Sequence, residues 1–430
     1  MPNNPFFPAG PVPPEYFIGR KSELRFAFDL ISKNSHGAFY GSPGMGKSSL
    51  LYLLTYPEIW QDQGQDYSKS FIVYLNCTNI NPFTPYAFWQ EVLTLLKEEV
   101  EDNDELKTVI DEVLEGDTIE KTDIRQILRK IGKQDKDKFL LLLIDDYDSA
   151  LKTNTEYTEV EMMTFLSEFR NLAVDPKAGL HLRTIVTTFR RLNELAAKLS
   201  LDGSPWYNHY TFQLMKPFSK AEVMKEFFTS SSPRFIRIKQ SLQEEILKIT
   251  GGHPKLLQNA GYLLYERLQD GKITDIETFI KDFQSRTEQI FQNIWQFSTD
   301  EEQILLMLIA LSRLEGNLGK KSFALRGIES FFSQKARELI DLEERGIIKK
   351  IEEDWKTVYE FTSSMMEWWV LREIENSDEA ELKKRKKVFL RLMSHEQVEG
   401  ITKVIKQTWQ HREVVESFVN IIGKFLGNPT

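Results

Sequence analysis

The sequence predicts an α/β core, a parallel sheet with helices on both faces, followed by helical segments and a winged-helix pattern. Strand-like apolar blocks alternate with helical blocks between residues 37 and 189, which favours a parallel sheet. The pattern is purely helical from Lys220 to about Asp282, and residues 299–375 then follow the winged-helix order of two helices, two short strands and a helix. The predicted domains are an extended proline-rich arm at 1–16, the core at 17–215, a helical lid at 216–297, a winged-helix domain at 298–375 and a small all-α module at 376–430.

The individual elements follow from hydrophobic periodicity and from residues that interrupt it. Six prolines among the first 14 residues remove backbone donors and fix φ, so the arm is expected to have no regular structure. Ser22 is the predicted N-cap of a short helix that ends near Ile31. The predicted strands are GAFY, FIVYLN, FLLLLID and LRTIVTTF, and a further helix is expected from Glu159 to Leu172.

Composition excludes several classes of protein. The 430 residues are 41% apolar and 28% charged, which excludes collagen-like, disulfide-scaffold and wholly disordered chains. The longest apolar run, residues 304–311, is shorter than the roughly 18 residues of a membrane helix, and a cytoplasmic location is expected. The single cysteine, Cys77, is predicted to be a core thiol. Residues 98–117 contain ten carboxylates and one lysine, account for the net charge of −9, and are interpreted as a solvated helix face or a mobile insert.

One motif points directly to nucleotide chemistry. Residues 41–48 read GSPGMGKS, which fits G-x-x-x-x-G-K-S and lies between a predicted strand and a predicted helix. Gly44 and Gly46 allow a tight loop whose N–H groups point inward at phosphates, beside the positive end of the following helix. The sequence therefore predicts a P-loop NTPase that binds ATP or ADP with Mg²⁺.

The residue roles follow from this loop. Lys47 is expected to reach the β- and γ-phosphates, Ser48 to supply a hydroxyl to Mg²⁺, and Ser49 to donate near the α-phosphate. The remaining candidate phosphate contacts are Gly41, Pro43, Gly44, Met45 and Gly46.

A carboxylate at the end of a buried strand should complete such a site. The apolar run 139–144 is followed by Asp145, Asp146 and Asp148. Asp145 is predicted to lie on the Mg²⁺ side, and Asp146 stands where a general base would polarise the attacking water. Because the side chain of aspartate is shorter than that of glutamate, Asp146 reaches less far toward the attacking water, and slow ATP hydrolysis is expected.

With these motifs in place, the chain resembles the STAND signalling NTPases and their origin-recognition-like relatives within the AAA+ superfamily, from about Asn4 to Trp369. The resemblance is carried by FIGR at 17–20, Glu23 and Leu24, the loop at 41–48, LLLLIDDYD, TIVTTFRRLNEL, LMKPFSKAEV, GGHP at 251–254 and FTSSMMEWW. Two positions depart from the pattern: the usual Asp-Glu pair is Asp-Asp, and no clear lid arginine follows Pro254.

The resemblance implies further site residues. It places Phe17, Ile18, Gly19, Arg20 and Pro254 near the adenine, and His253 or Lys255 near phosphate. Thr187 or Thr188 matches the polar sensor after the fourth strand, and Arg190 or Arg191 matches an arginine that senses the γ-phosphate or acts across a subunit boundary. Of these, Thr187 is taken as a nucleotide contact and Arg190 as a catalytic residue. His253 could equally be the neighbour of a helix N-cap residue, and both arginines could be solvated charges.

Two basic features leave nucleic-acid binding open. The candidate reading helix at 333–345 has a net charge of −1, which favours packing over DNA recognition. Its charged residues are Lys335, Arg337, Glu338, Asp341, Glu343, Glu344 and Arg345. The run KKRKK at 383–387 is either an exposed helix face or a contact patch for an acidic partner or nucleic acid.

The sequence therefore predicts a slowly hydrolysing, ATP-binding switch that couples nucleotide state to exposure of the module at 376–430. The expected partners are nucleotide and an effector or adaptor protein, with self-association on activation and a role in stress or defence signalling implied by the resemblance. The first alternative is a DNA-binding origin-recognition-like ATPase for replication initiation or mobile-element targeting. A weaker alternative is a protein that holds nucleotide permanently as a structural element.

Overall fold

The computed structural model describes residues 4–100, 104–195, 205–228, 238, 240–269, 276–313, 328–353 and 356–376. Two compact units divide the chain. The sheet unit comprises the described residues within 10–41 and 46–215, and the helical unit comprises those within 4–9, 42–45 and 216–376. The predicted module at 376–430, with its KKRKK run, lies outside the described residues except for Asn376.

A five-stranded parallel sheet forms the centre of the sheet unit. Its strands are β1 (His36–Tyr40), β2 (Ser70–Asn76), β3 (Phe139–Asp145), β4 (Leu182–Thr188) and β5 (Tyr210–Leu214), in the spatial order β2-β3-β4-β1-β5. The predicted parallel α/β sheet is confirmed, and β5 was not predicted. The register pairs Asn76 with Asp145 and Tyr40 with Thr188, so the carboxyl ends of four strands meet at one edge. Ligands of open α/β sheets bind at this edge.

Helices surround this sheet. They are α1 (Lys21–Ser32), α2 (Lys47–Leu53), α3 (Pro57–Asp62), α4 (Pro85–Glu99), α5 (Asp104–Leu114), α6 (Lys121–Gln134), α7 (Glu159–Ala173) and α8 (Leu192–Leu195). α7 begins with a capping box between Thr158 and Glu161. The expectation for Ser22 was wrong: the N-cap of α1 is Arg20, in a left-handed conformation, and the Ser22 hydroxyl donates to Glu23 Oε2 at 2.6 Å instead.

The acidic stretch includes an ordinary amphipathic helix. Leu106, Val109 and Ile110 of α5 are buried in the hydrophobic core, while its carboxylates lie toward the surface. Lys130 pairs with Glu105 at 2.5 Å. The solvated-face interpretation therefore fits residues 104–114.

The helical unit contains ten regular elements within the described residues. They are α9 (Lys220–Phe228), α10 (Gln240–Thr250), α11 (Pro254–Gln269), α12 (Ile276–Gln296), α13 (Asp300–Arg313), α14 (Ile328–Gln334), α15 (Ala336–Glu344), β6 (Ile348–Glu353), β7 (Lys356–Phe361) and α16 (Ser364–Asn376). The elements α13 to α16, with the antiparallel β6–β7 ribbon, are called the helix–ribbon region below. The predicted break between α10 and α11 is observed, with Gly251 and Gly252 at positive φ. The predicted helix at 333–345 is interrupted at Lys335.

The proline-rich arm is anchored rather than loose. The Phe6 ring lies against α11, where a Cβ on Gly261 would stand 2.1 Å from it, and the Phe7 N–H donates to Gln258 Oε1 at 2.8 Å. The expectation of no regular structure was wrong at Pro14–Tyr16, which form one 3₁₀ turn. Proline at its first position fits this turn because it has no N–H to satisfy. Separately, no helix among the described residues has the length and hydropathy needed to cross a membrane.

Two buried histidines make the sheet unit sensitive to acid. His36 and His209 lie with ring centroids 5.2 Å apart, and burial lowers their pKa values from about 6.5 to about 4 and about 3. The charged groups that face them, Arg183 and Arg170, lower these pKa values further. Both rings are neutral in the folded chain at pH 6.

We expect the free energy of unfolding to fall as the pH drops from about 6.5 to 4, because the unfolded chain then binds protons that the folded chain does not. The loss attributable to His36 alone is about 3 kcal/mol. Urea unfolding of the wild type and of His36→Gln across this pH range measures it. A His36→Gln curve parallel to that of the wild type would contradict the assignment, and the exposed variant Lys33→Ala serves as the control.

Candidate nucleotide-binding site

The loop at Gly41–Ser48, called the phosphate loop below, joins β1 to α2. Gly46 has a φ of 88°, a left-handed conformation that side chains rarely adopt, and α2 begins at the next residue. Gly41 lies so close to the β5 end that a Cβ there would stand 2.7 Å from the Met215 carbonyl oxygen. Glycine is therefore required at both ends of the loop.

Lys47 is buried at the start of α2. The residue is only 8% exposed, and its Nζ donates to the Gly41 carbonyl oxygen at 2.7 Å. Burial lowers the pKa of Lys47, and the charges of Asp148, Asp145 and Asp146 oppose that shift. The lysine therefore lies among three carboxylates, one at the end of β3 and two in the turn that follows it.

Asp145 ends β3 and is held by two hydroxyl groups. It is 1% exposed, and it accepts hydrogen bonds from Thr187 Oγ1 and, at 3.3 Å, from Tyr74 OH. Thr187 Oγ1 also accepts from the Asp146 N–H at 3.0 Å, whereas the Thr188 hydroxyl donates to the Arg190 carbonyl oxygen. Of the two candidate sensor threonines, Thr187 is therefore the one in contact with the acids.

Asp146 follows in a left-handed conformation and contacts β2. Asn76 Nδ2 donates to Asp146 Oδ2 at 3.0 Å, and the Asn76 amide oxygen is itself held by the Thr78 N–H and hydroxyl. Burial and the neighbouring Asp145 raise the pKa of Asp146, and the bond from Asn76 opposes this rise. Sequence reasoning gave Asn76 no role, because its alignment with Asp145 depends on the pairing of β2 with β3.

Asp148 is a second group that sequence reasoning left without a role. Both of its carboxylate oxygens accept from the Phe189 N–H, at 3.1 and 3.0 Å, which ties the segment after β3 to the end of β4. Burial raises its pKa to about 6, and Lys47 opposes the rise. Asp148 therefore positions the segment that carries Arg190 and Arg191.

The donor set fits Mg²⁺ bound together with phosphate. Within the described residues no three His, Cys, Asp or Glu side chains converge as a metal site. Mg²⁺ characteristically takes one or two carboxylates and completes its shell with phosphate oxygens and water. Asp145 with the half-buried Ser48 hydroxyl matches that pattern, and three carboxylates around one lysine leave negative charge for a cation.

The other predicted residues of the sheet unit have local roles in the structure. Gly19 and Arg20 both have positive φ and form the turn before α1, where Arg20 pairs with Glu23 at 2.9 Å. The neighbouring Ile18 is buried and Phe17 is half-buried. The Ser49 hydroxyl accepts from the Val12 N–H at 3.1 Å. Arg191 donates to Tyr40 OH at 2.6 Å, and Arg190 is half-buried after β4.

In the helical unit, the start of α11 contacts the loop crest, Ser42–Met45. His253 Nε2 lies 2.9 Å from the Pro43 carbonyl oxygen, and its Nδ1 accepts from the Leu256 N–H at 3.4 Å. The Lys255 N–H donates to the Gly44 carbonyl oxygen at 3.1 Å, and Pro254 is the first residue of α11. His253 is therefore an N-cap residue whose second nitrogen contacts the loop.

Comparisons with known proteins agree with this geometry. Residues 31–192 match the family described as AAA domain. A phosphate loop after β1 and an acid at the end of β3 accompany this match and are typical of P-loop ATPases. More particularly, residues 31–192 are similar to P-loop ATPase domains of the AAA type. Such a domain implies binding of a nucleotide, typically with Mg²⁺.

Two solved structures share the fold over most of the chain. The Walker-type ATPase PABY2304 of Pyrococcus abyssi is 16% identical, with a TM-score of 0.53 over 85% of this chain and 99% of that chain. The ORC2 protein of Aeropyrum pernix, solved as ADPNP–ADP complexes, is 12% identical, with a TM-score of 0.50 over 84% of this chain and 96% of that chain. No curated protein matches the chain.

Proposed function

We propose that this protein is an ATP-binding switch of the STAND signalling type, which hydrolyses ATP slowly and couples nucleotide state to the arrangement of its C-terminal elements. The observation that carries the proposal is the buried Lys47 of the phosphate loop, whose Nζ donates to the Gly41 carbonyl oxygen and whose surroundings include the carboxylates of Asp145, Asp146 and Asp148. A buried lysine is stabilised by such acids, and it is also the group that a triphosphate requires at this position.

The residues have distinct proposed roles. Lys47 neutralises the charge of the transferred phosphoryl group, and Thr187 fixes Asp145 and the backbone of Asp146. Ser48 and Asp145 would hold Mg²⁺, which when bound neutralises phosphate charge. Asp146 accepts a proton from the attacking water, with Asn76 orienting its carboxylate. Phe17, Ile18, Gly19, Arg20 and Pro254 remain proposed base contacts, and Arg190 a proposed catalytic contact.

Calorimetric titration of the purified full chain with ADP and with ATP, each with and without Mg²⁺, tests nucleotide binding. We expect binding of one nucleotide per chain and tighter binding of ATP when Mg²⁺ is present. Release of any nucleotide by acid precipitation, followed by chromatography, identifies what the purified protein retains. A nucleotide-free chain that gives no heat with either nucleotide would overturn the proposal.

Replacing Asn76 with alanine is expected to move the acid limb of the hydrolysis rate profile to higher pH by about half to one unit. The hydrogen bond from Asn76 stabilises the carboxylate form of Asp146, so its loss raises the pKa of Asp146 further. A general base acts only in its deprotonated form. When the pKa of Asp146 is higher, a higher pH is therefore needed to deprotonate Asp146. The control is Asn79→Ala, an exposed amide two residues beyond Cys77 in the same segment. An unchanged profile would remove Asp146 from the role of base.

The structure favours packing over DNA recognition for the predicted reading helix at 333–345. Arg345, one of the three cations of the predicted reading helix, is 1% exposed and paired with Glu302 and Asp341. Lys335 pairs with Glu338 at 3.1 Å. Two of the three cations are therefore engaged inside the protein. A DNA affinity that falls steeply with salt would instead support the origin-recognition-like alternative.

The partner and the oligomeric state remain part of the proposal. We expect the full chain to self-associate with ATP and to be monomeric with ADP, as measured by light scattering. The proposed contact with an effector or adaptor protein involves residues 376–430.

A further inference from the structure

The loop crest is held by side chains and backbone far away in the sequence. Ser42 is wholly buried, and its hydroxyl donates to the Arg345 carbonyl oxygen at 3.0 Å, across 303 positions of the chain. Both residues belong to the helical unit. The next two residues of the crest offer their carbonyl oxygens to His253 and Lys255. Within the helical unit, three successive residues of the loop crest are thus held by hydrogen bonds, one of them to the helix–ribbon region.

The Arg345 side chain belongs to a buried ion triad. The Arg345 guanidinium lies 2.7 Å from Glu302 and 2.9 Å from Asp341, and the three side chains are 1%, 2% and 18% exposed. Glu302 also accepts from the Thr299 N–H at 2.7 Å, which caps α13. The triad therefore locks the end of α15 to the start of α13.

The turn after Arg345 is equally constrained. Gly346 has a φ of 69°, and a Cβ there would stand 2.3 Å from the ring of Pro217. The Ile347 N–H donates to the Leu342 carbonyl oxygen at 3.0 Å, and the Thr362 N–H donates to the Ile347 carbonyl oxygen at 3.0 Å. This turn cannot shift without moving the start of β6 and the end of β7.

We propose that Arg345 and Ser42 are positioning residues for the phosphate loop, so that nucleotide occupancy and packing of the helix–ribbon region are thermodynamically linked. This inference rests on the proposed nucleotide function. The loop must turn its N–H groups toward phosphates, and the Ser42 hydroxyl and the Pro43 and Gly44 carbonyl groups of its crest are hydrogen-bonded within the helical unit. A change in the loop backbone on nucleotide binding is therefore transmitted to the turn after α15. By linkage, a change in that turn alters the affinity for nucleotide.

Hydrogen exchange of the full chain with and without ADP tests the linkage. In the wild type, we expect ADP to slow exchange at Ile347, Ile348 and Thr362, although these residues are not proposed nucleotide contacts. Ser42→Ala removes only the hydroxyl. It should weaken ADP binding about 3- to 10-fold, the range of one buried hydrogen bond, and abolish the ADP-dependent protection at those amides.

The matched control is Ser298→Ala. The Ser298 hydroxyl is also buried and also donates to a backbone carbonyl oxygen, that of Ile294, at 2.8 Å, but it does not touch the loop. It should retain both the affinity and the protection. Glu302→Gln, which perturbs the triad without touching the loop, should weaken ADP binding in the same direction and keeps the test available if Ser42→Ala does not fold.

The outcomes separate the two proposals. If the wild type binds ADP and Ser42→Ala keeps full protection, the positioning role is wrong while the nucleotide function stands. If the wild type does not bind ADP at all, the proposed function fails and the linkage fails with it. Loss of protection in Ser42→Ala but not in Ser298→Ala supports the positioning role.

Discussion

Replacing Lys47 with alanine is expected to lower ATP hydrolysis by about 10²- to 10³-fold, the range typical of removing one preorganised charge-stabilising donor from an active site. The Lys47 side chain is buried and lies among Asp145, Asp146 and Asp148. A charge in such surroundings interacts with a phosphate more strongly than one in water does. The variant should also bind ATP more weakly, as calorimetry and a phosphate-release assay would measure.

Two further variants sharpen this experiment. Lys33→Ala removes a lysine that is 69% exposed and paired only with Asp29 at 3.5 Å among the contacts described, and it should behave as wild type. Lys47→Arg keeps the charge but not the shape, and the buried position leaves little room for a guanidinium group. It should therefore lose most of the activity. Equal turnover in Lys47→Ala and the wild type, with both chains folded by circular dichroism, would rule out the phosphate loop as the site.

The sheet was largely predictable because four of its five strands consist wholly or mostly of buried residues. A continuous apolar run such as that of β3 is typical of a strand that is buried on both faces. The four predicted strands lie within one or two residues of the observed bounds. β5 was missed because only Tyr210 of its five residues is buried. The position of β5 is set by its pairing with β1, and its own residues do not form an apolar run that would predict a strand.

The candidate site was predictable only where its chemistry is local in sequence. The phosphate loop and the acids after β3 are contiguous motifs, so their residue types alone indicate a function. Thr187 was identified only through the family resemblance, whereas Asn76 contacts Asp146 because of strand register and Ser42 contacts Arg345 across most of the chain. Hydrophobic periodicity indicates which face of a helix or strand is buried. It does not indicate which distant polar group contacts that helix or strand.

Replacing Arg345 with methionine is expected to lower the free energy of unfolding by about 3–5 kcal/mol, the range for removing one partner of a buried ion pair. The change leaves the Glu302 and Asp341 carboxylates in a site where both were compensated by the guanidinium. In thermal terms the shift would be roughly 10 °C for the affected transition. Differential scanning calorimetry is the appropriate measurement because two compact units need not unfold in a single step.

The matched control for this prediction is Arg372→Met in α16. Arg372 is 40% exposed and lies 3.8 Å from Glu288, so its loss should change stability by no more than about 1 kcal/mol. Combining Arg345→Met with Glu302→Gln and Asp341→Asn removes the stranded charges and should restore most of the lost stability, because the penalty arises from uncompensated carboxylates rather than from the missing methylene groups. The side-chain amide introduced by Glu302→Gln would still offer an oxygen to the Thr299 N–H. If the triple variant were no more stable than Arg345→Met alone, the destabilisation would stem from lost packing, and the ionic description of this triad would be wrong.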